Sequence, residues 1–177
     1  MSFKTLQSSL KFSGRVFSVN TDQVLLPDGQ TTTLDVVIHG EAVVIIPVDA
    51  DGGLWFVRQY RYPAEVELVE LPAGAVEADE DMTEGAQREL REEIGYAAAV
   101  MEKIGTFYLA PGYSTERLHI FLARELTPAP LARDVDEFLQ TEKYSQADAY
   151  AMVQNGTLQD AKTLAALLLA RPYLSPA

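Results

Sequence analysis

The residues Gly74 to Tyr96, "GAVEADEDMTEGAQRELREEIGY", crowd carboxylates onto a single stretch, with Glu89, Glu92 and Glu93 nearly consecutive. Asp81 suits an N-cap with Glu84 three residues on, and Gly95 suits a left-handed residue past the last turn, so the spacing predicts a helix from Met82 to Ile94. At 100° per residue, Glu89, Glu92 and Glu93 share one narrow arc, and Ala86, Leu90 and Ile94 lie on the adjoining, core-facing arc. Like charges at i, i+3 and i+4 destabilise a helix, and more so when partly buried. A divalent cation is the simplest group to offset that repulsion.

A charge run on a helix is ordinarily a solvated face. Here the spacing decides otherwise: Gly74, five residues, Glu80, seven residues, then Arg88-Glu89-Leu90-x-Glu92-Glu93-x-Gly95-Tyr96. With each fixed residue at about 7% usage, seven such matches arise by chance about once in 10⁸ windows. This pattern resembles the Nudix box, and the chain resembles the Nudix hydrolases, which cut a nucleoside diphosphate linked to another moiety. The resemblance implies an α/β fold, an α/β/α sandwich with a mixed central sheet, here with an N-terminal antiparallel β arm. It implies metal-assisted attack of water on a pyrophosphate. The implied ligands are Glu89 and Glu93, Glu92 directly or through water, and the carbonyl of Ala73. Glu80 and Arg88 would brace the loop against the helix or support catalysis, with Gly74 and Gly95 as structural positions of the box. Oxygen ligation suits Mg²⁺, with Mn²⁺ as the alternative, and two histidines with no cysteine disfavour zinc.

The flanks "VRQYRYPAEVELVELPAG" and "LAPGYSTER" are similar to the ADP-ribose pyrophosphatase branch. That similarity implies phosphate binding by Arg61, site positions for Glu70 and for Gly112, Ser114 and Glu116 of the Pro-Gly loop, and Phe17 stacking on the nucleobase. An independent argument supports Arg61, because a polyanionic substrate in so acidic a chain needs a cationic donor and arginine binds phosphate through two N–H groups. The branch takes its base from an acidic loop outside the box. "ARDVDEFLQ" is the counterpart, with Asp134, Asp136 and Glu137 as candidates, Glu137 favoured for reach. The strand "TTTLDVVIH" lacks an arginine that some relatives use to sandwich the base. The implied substrate is ADP-ribose or a related nucleoside diphosphate sugar; GDP-mannose or a broader range is the near alternative. A non-catalytic, ligand-sensing module is the distant one, opposed by the intact Glu89, Glu92 and Glu93.

These residues need a scaffold. The 177 residues, 47% hydrophobic, suffice for one core of ordinary size, and the lack of cysteine fits a reducing, cytoplasmic setting. No apolar run reaches the length of a membrane span, and a net charge of −12 opposes sequence-independent nucleic-acid binding. Two β-branched runs around Pro27-Asp28-Gly29 predict a hairpin. "AVVIIPV" and "LWFVRQY" predict a second strand pair across "DADGG", the first of them apolar on both faces like a central strand. "EVELVELP", "IGTFYLA" and "RLHIFLA" read as further strands, and two helices follow, one between Ser145 and Gly156 and one ended by Pro172. Residues 1–40 form the expected β arm and 41–177 the expected catalytic domain. A two-stranded unit is marginal alone, and the branch exchanges such strands across a homodimer, so a homodimer is expected.

Overall fold

The computed structural model describes residues 2–132 and 138–174. It contains β1 (Lys4–Ser13), β2 (Phe17–Leu25), β3 (Thr31–His39), β4 (Glu41–Pro47), β5 (Leu54–Arg61), β6 (Val66–Glu70), β7 (Ala73–Ala75), α1 (Met82–Glu93), β8 (Tyr96–Tyr108), β9 (Arg117–Pro128), β10 (Gln140–Tyr144), α2 (Gln146–Gln154) and α3 (Ala161–Ala170). These elements fall into two compact units.

The first unit comprises Met1–Glu41 and Tyr108–Arg117. Its antiparallel sheet runs β1-β2-β3. The hairpin between β2 and β3 turns at Gly29, whose φ of 85° is costly for any residue with a Cβ. The loop of the second segment lies along β3. Val37 N–H donates to the Tyr113 carbonyl (2.8 Å), Thr115 N–H donates to the Val37 carbonyl (3.0 Å), and the Thr115 hydroxyl accepts from His39 N–H (2.9 Å). Leu6, Leu10 and Phe12 of β1 are exposed, and the pairing of β1 with β2 shifts register between Thr5 and Gln7 and again between Leu10 and Phe12.

The second unit comprises Ala42–Phe107 and Leu118–Ala177. Its sheets run β7-β4-β9-β8 and β10-β5-β6. Alternation along β4 and β9 explains the layering. Val44, Ile46, Leu118, Ile120 and Leu122 point to one face and pack with Ala149 of α2 and Ala166, Leu167 and Ala170 of α3. Val43, Ile45, Phe121 and Ala123 point to the other and pack with Ala86 and Leu90 of α1 and with Ile94. A central strand sandwiched by helices must be apolar on both faces, and β4 is. The result is the expected α/β/α sandwich with a mixed sheet.

One expected pairing needs correction. β4 and β5 do not form a hairpin: β4 joins β7 and β9, and β5 joins β6 and β10. An antiparallel bridge between Val48 and Leu54 closes the turn between them, and Pro47, which has no N–H to give to a ladder, ends β4 there. The three strands β1, β7 and β10 carry no clear sequence signal and were not expected. Among the described residues no helix is long and apolar enough to cross a membrane.

Candidate active site

Helix α1 begins where its cap dictates. The Asp81 carboxylate accepts from Thr83 N–H (2.8 Å) and Glu84 N–H (3.4 Å), and the chain leaves the helix through Gly95 at φ 81°. Ala86 and Leu90 are fully buried, and they carry two acids inward with them: Glu89 is 7% exposed and Glu93 3%. Burying two carboxylates costs several kcal/mol on the order-of-magnitude scale unless partners compensate.

Arg88 supplies much of that compensation. Its guanidinium donates to Glu80 (2.9 and 3.0 Å), Glu89 (2.7 Å), Glu92 (3.0 Å) and the Ala75 carbonyl (2.9 Å). The hydrogen bond to Glu80 raises the Arg88 pKa most, burial opposes it, and the bond to Glu89 adds to the rise. Glu80 also accepts from Glu77 N–H (2.9 Å), closing the loop before the helix. Ala73 N–H donates to Glu93 Oε2 (3.1 Å), which fixes the start of the loop against the end of α1. A Cβ on Gly74 would lie 2.1 Å from the Glu89 carboxylate, so only glycine lets backbone and acid approach so closely.

The donor set is all oxygen and suits a hard divalent cation. Among the described residues no three acidic or histidine side chains form a ready-made cage.

Strands β5 and β6 position a second cluster. Arg61 and Glu70 meet through paired bonds, Nε to Oε1 at 2.7 Å and a terminal nitrogen to Oε2 at 2.6 Å. Glu70 is 1% exposed, whereas the Arg61 side chain is 37% exposed. Burial is the largest influence on Glu70 and pushes its pKa up, but the Arg61 bond and the Lys162 charge outweigh it and hold the carboxyl below its ordinary value. The Glu70 bond raises the Arg61 pKa against burial, and the charges of Asp160 and Glu93 add to the rise. The field of a box carboxylate therefore reaches this arginine. Lys162 donates to both Glu70 and Asp160. Sequence reasoning missed it, because 92 residues separate it from Glu70 and it reads as an ordinary polar residue opening α3.

Phe17, Gly112, Ser114 and Glu116 belong to the first unit. Phe17 opens β2, half-exposed, with its ring 5.9 Å from that of Phe12. The Ser114 hydroxyl accepts from Glu116 N–H (3.1 Å). Ser114 also lines a cavity of about 500 Å³ with Glu41, Tyr108, Pro111, Thr115 and Arg117. A Cβ on Gly112 would meet nothing within 4 Å. Asp134, Asp136 and Glu137 lie outside the described residues.

The family model described as NUDIX domain matches residues 38–167. The chain is 38% identical over 166 residues to an ADP-ribose pyrophosphatase of Bacillus subtilis (strain 168), covering 93% of this chain and 90% of that one. It is 36% identical over 166 residues to a methanol dehydrogenase activator of Bacillus methanolicus, with the same coverage of 93% and 90%. The crystal structure of an ADP compounds hydrolase superposes with a TM-score of 0.88 at 24% identity, over 98% of this chain and 94% of that one, which shows the shared fold. The chain belongs to the Nudix family.

Proposed function

We propose that this protein hydrolyses the pyrophosphate of ADP-ribose, or of a closely related nucleoside diphosphate sugar, to a nucleoside monophosphate and a sugar phosphate, which for ADP-ribose are AMP and ribose 5-phosphate. The observation that carries this reading is the arrangement of box residues on and before α1: buried Glu89 and Glu93, Arg88 spanning Glu80, Glu89 and Glu92, and a glycine whose smallness admits Glu89. The name of the Bacillus subtilis relative supports the substrate.

In this reading Glu89 and Glu93, with Glu92 and the Ala73 carbonyl, hold Mg²⁺, with Mn²⁺ as the alternative. When bound, the cation neutralises phosphate oxygens and lowers the pKa of a coordinated water. Arg61 binds the phosphates: an arginine has five N–H donors, Glu70 occupies two, and the remainder serve a ligand. Burial of the Glu70 carboxylate keeps Arg61 in one orientation, so little freedom is lost when substrate binds. An acid from Asp134, Asp136 or Glu137, or else Glu92, accepts the proton of the attacking water. The new bond joins the water oxygen to phosphorus as the bridging P–O bond breaks, and the leaving phosphate keeps the bridging oxygen with the electron pair of the broken bond. Phe17, Gly112, Ser114 and Glu116 are assigned to substrate contacts. The exposed apolar side chains of Leu6, Leu10 and Phe12 on β1 support a homodimer with exchanged N-terminal strands, and a cytoplasmic enzyme without cysteines fits the composition.

Chromatography of products from ADP-ribose, GDP-mannose, UDP-glucose, ATP and diadenosine polyphosphates tests the substrate. ADP-ribose should be cleaved with the highest kcat/KM, and a preference for GDP-mannose would overturn the assignment while leaving the reaction class.

A further inference from the structure

The carboxylate of Glu70, almost wholly removed from solvent, serves two cations at once. Arg61 meets it through both oxygens, and Lys162 donates to Oε2, the oxygen that Arg61 also uses. Lys162 is itself fixed, since Asp160 Oδ1 accepts from it at 2.9 Å. Asp160 caps α3 through its other oxygen, which accepts from Thr163 N–H (2.9 Å) and from the Thr163 hydroxyl (2.6 Å). The same hydroxyl accepts from Leu71 N–H (2.9 Å), and Thr163 is fully buried. The first turn of α3 therefore grips two consecutive residues at the end of β6, Glu70 by its side chain and Leu71, just past the strand, by its backbone. Two residues further on, Ala73 N–H reaches Glu93 of the box.

We propose that Lys162 is a positioning residue for the hydrolytic site: it shares the Glu70 carboxylate with Arg61, so that Arg61 is oriented by that acid without being neutralised by it, and stays available to a phosphate. The proposal rests on reading Arg61 as the phosphate contact. The charges make the case. Arg61 and Lys162 balance Glu70 and Asp160, and deleting the lysine leaves this group one charge more negative beside a polyanionic ligand. A buried carboxylate that loses one cation holds the other more tightly, because the interior screens their attraction poorly. Both effects weaken phosphate binding in the ground state and the transition state alike, which raises KM and leaves kcat nearly unchanged.

The test is a double-mutant cycle of K162M, R61Q and R61Q/K162M, with K162R and E70Q/K162M beside it. It uses whichever of ADP-ribose, GDP-mannose and diadenosine diphosphate the wild type cleaves fastest. K162M should raise KM about tenfold with kcat within about threefold, K162R should restore KM to within about threefold, and in the R61Q background K162M should add at most about threefold, the part that the lost charge alone contributes. Calorimetric binding of inorganic pyrophosphate to the same proteins reads the same fold-changes without turnover. E70Q/K162M removes both buried charges together and guards against loss of fold; its KM should rise about tenfold because Arg61 has lost its anchor. An unchanged KM in K162M or in E70Q/K162M, or effects of K162M and R61Q that multiply, would overturn the proposal. A substrate other than ADP-ribose would instead overturn the assignment of substrate, with the coupling between residues 162 and 61 still measured.

Discussion

Gly74→Ala isolates the geometry of the box without touching its charges. The built Cβ lies 2.1 Å from both the carboxyl carbon and Oε1 of Glu89 and 2.3 Å from Oε2. Ordinary contact begins near 3.4 Å, so the carboxylate must retreat by about 1.3 Å or the loop must lift by a similar amount. Gly74 does not occupy the left-handed region, so space alone opposes alanine. Glu89 has little room to retreat, because Arg88 holds it at 2.7 Å and it is nearly buried. Overpacking of this kind costs about 1–3 kcal/mol, which in a chain of this size lowers Tm by roughly 2–12 °C. A displacement of about 1 Å at a group that orders the reactants costs about 10²-fold in rate. Gly74→Ala should therefore lower kcat/KM for ADP-ribose about 100-fold while the protein stays folded at 25 °C. Steady-state kinetics and thermal melts measure both. Gly40→Ala is the control: its Cβ meets nothing within 4 Å, and neither activity nor Tm should change. Wild-type kcat/KM in Gly74→Ala would refute the idea that close approach of this backbone to Glu89 organises the site.

Three further predictions use other parts of the molecule. Glu93→Gln should lower kcat by at least about 100-fold with unchanged circular dichroism, because the amide can still accept from Ala73 N–H but carries no charge for a cation. Stability should fall in acid through Glu142. Its bond from Arg58, opposed by burial and aided by Tyr144, holds its pKa below the ordinary 4.5, so its contribution is complete above that pH and is lost as pH falls through the depressed value. The Tm difference between wild type and Glu142→Gln should accordingly be constant from pH 5 to 7 and shrink as the pH falls below about 4.5; a difference that grows with acid would contradict this cause. Light scattering coupled to size exclusion should give a dimer mass, and replacing Leu6 and Leu10 with Ser should shift it toward monomer; a wild-type monomer with full activity would contradict the exchanged-strand reading.

The sequence disclosed most where local chemistry and pattern coincide. Asp81, Gly95 and the apolar arc of Ala86, Leu90 and Ile94 determine where α1 starts, ends and packs, and all of that is local. The continuous apolar run of β4 revealed a central strand for the same reason. Pairing was less legible. A turn as plausible as "DADGG" could join a hairpin or let two strands part, and tertiary packing decides between them. β1 was hidden because "KTLQSSLKFS" mixes polar and apolar residues on a strand with much exposed surface, and β7 because three small residues carry no periodicity. Lys162 lay beyond reach for another reason: its role exists only once α3 is laid against the end of β6, and nothing about a lysine in the first turn of a helix announces a buried acid.

The most direct measurement is release of AMP from ADP-ribose, followed by chromatography with Mg²⁺, with EDTA, and with Mg²⁺ restored, for wild type and Glu93→Gln side by side. Wild type with Mg²⁺ should release AMP and ribose 5-phosphate in equal amounts, none with EDTA, and recover on adding Mg²⁺ back, and Glu93→Gln should reach at most about one hundredth of the rate. Undiminished AMP release in EDTA, or a Glu93→Gln protein as active as the wild type, would contradict this reading.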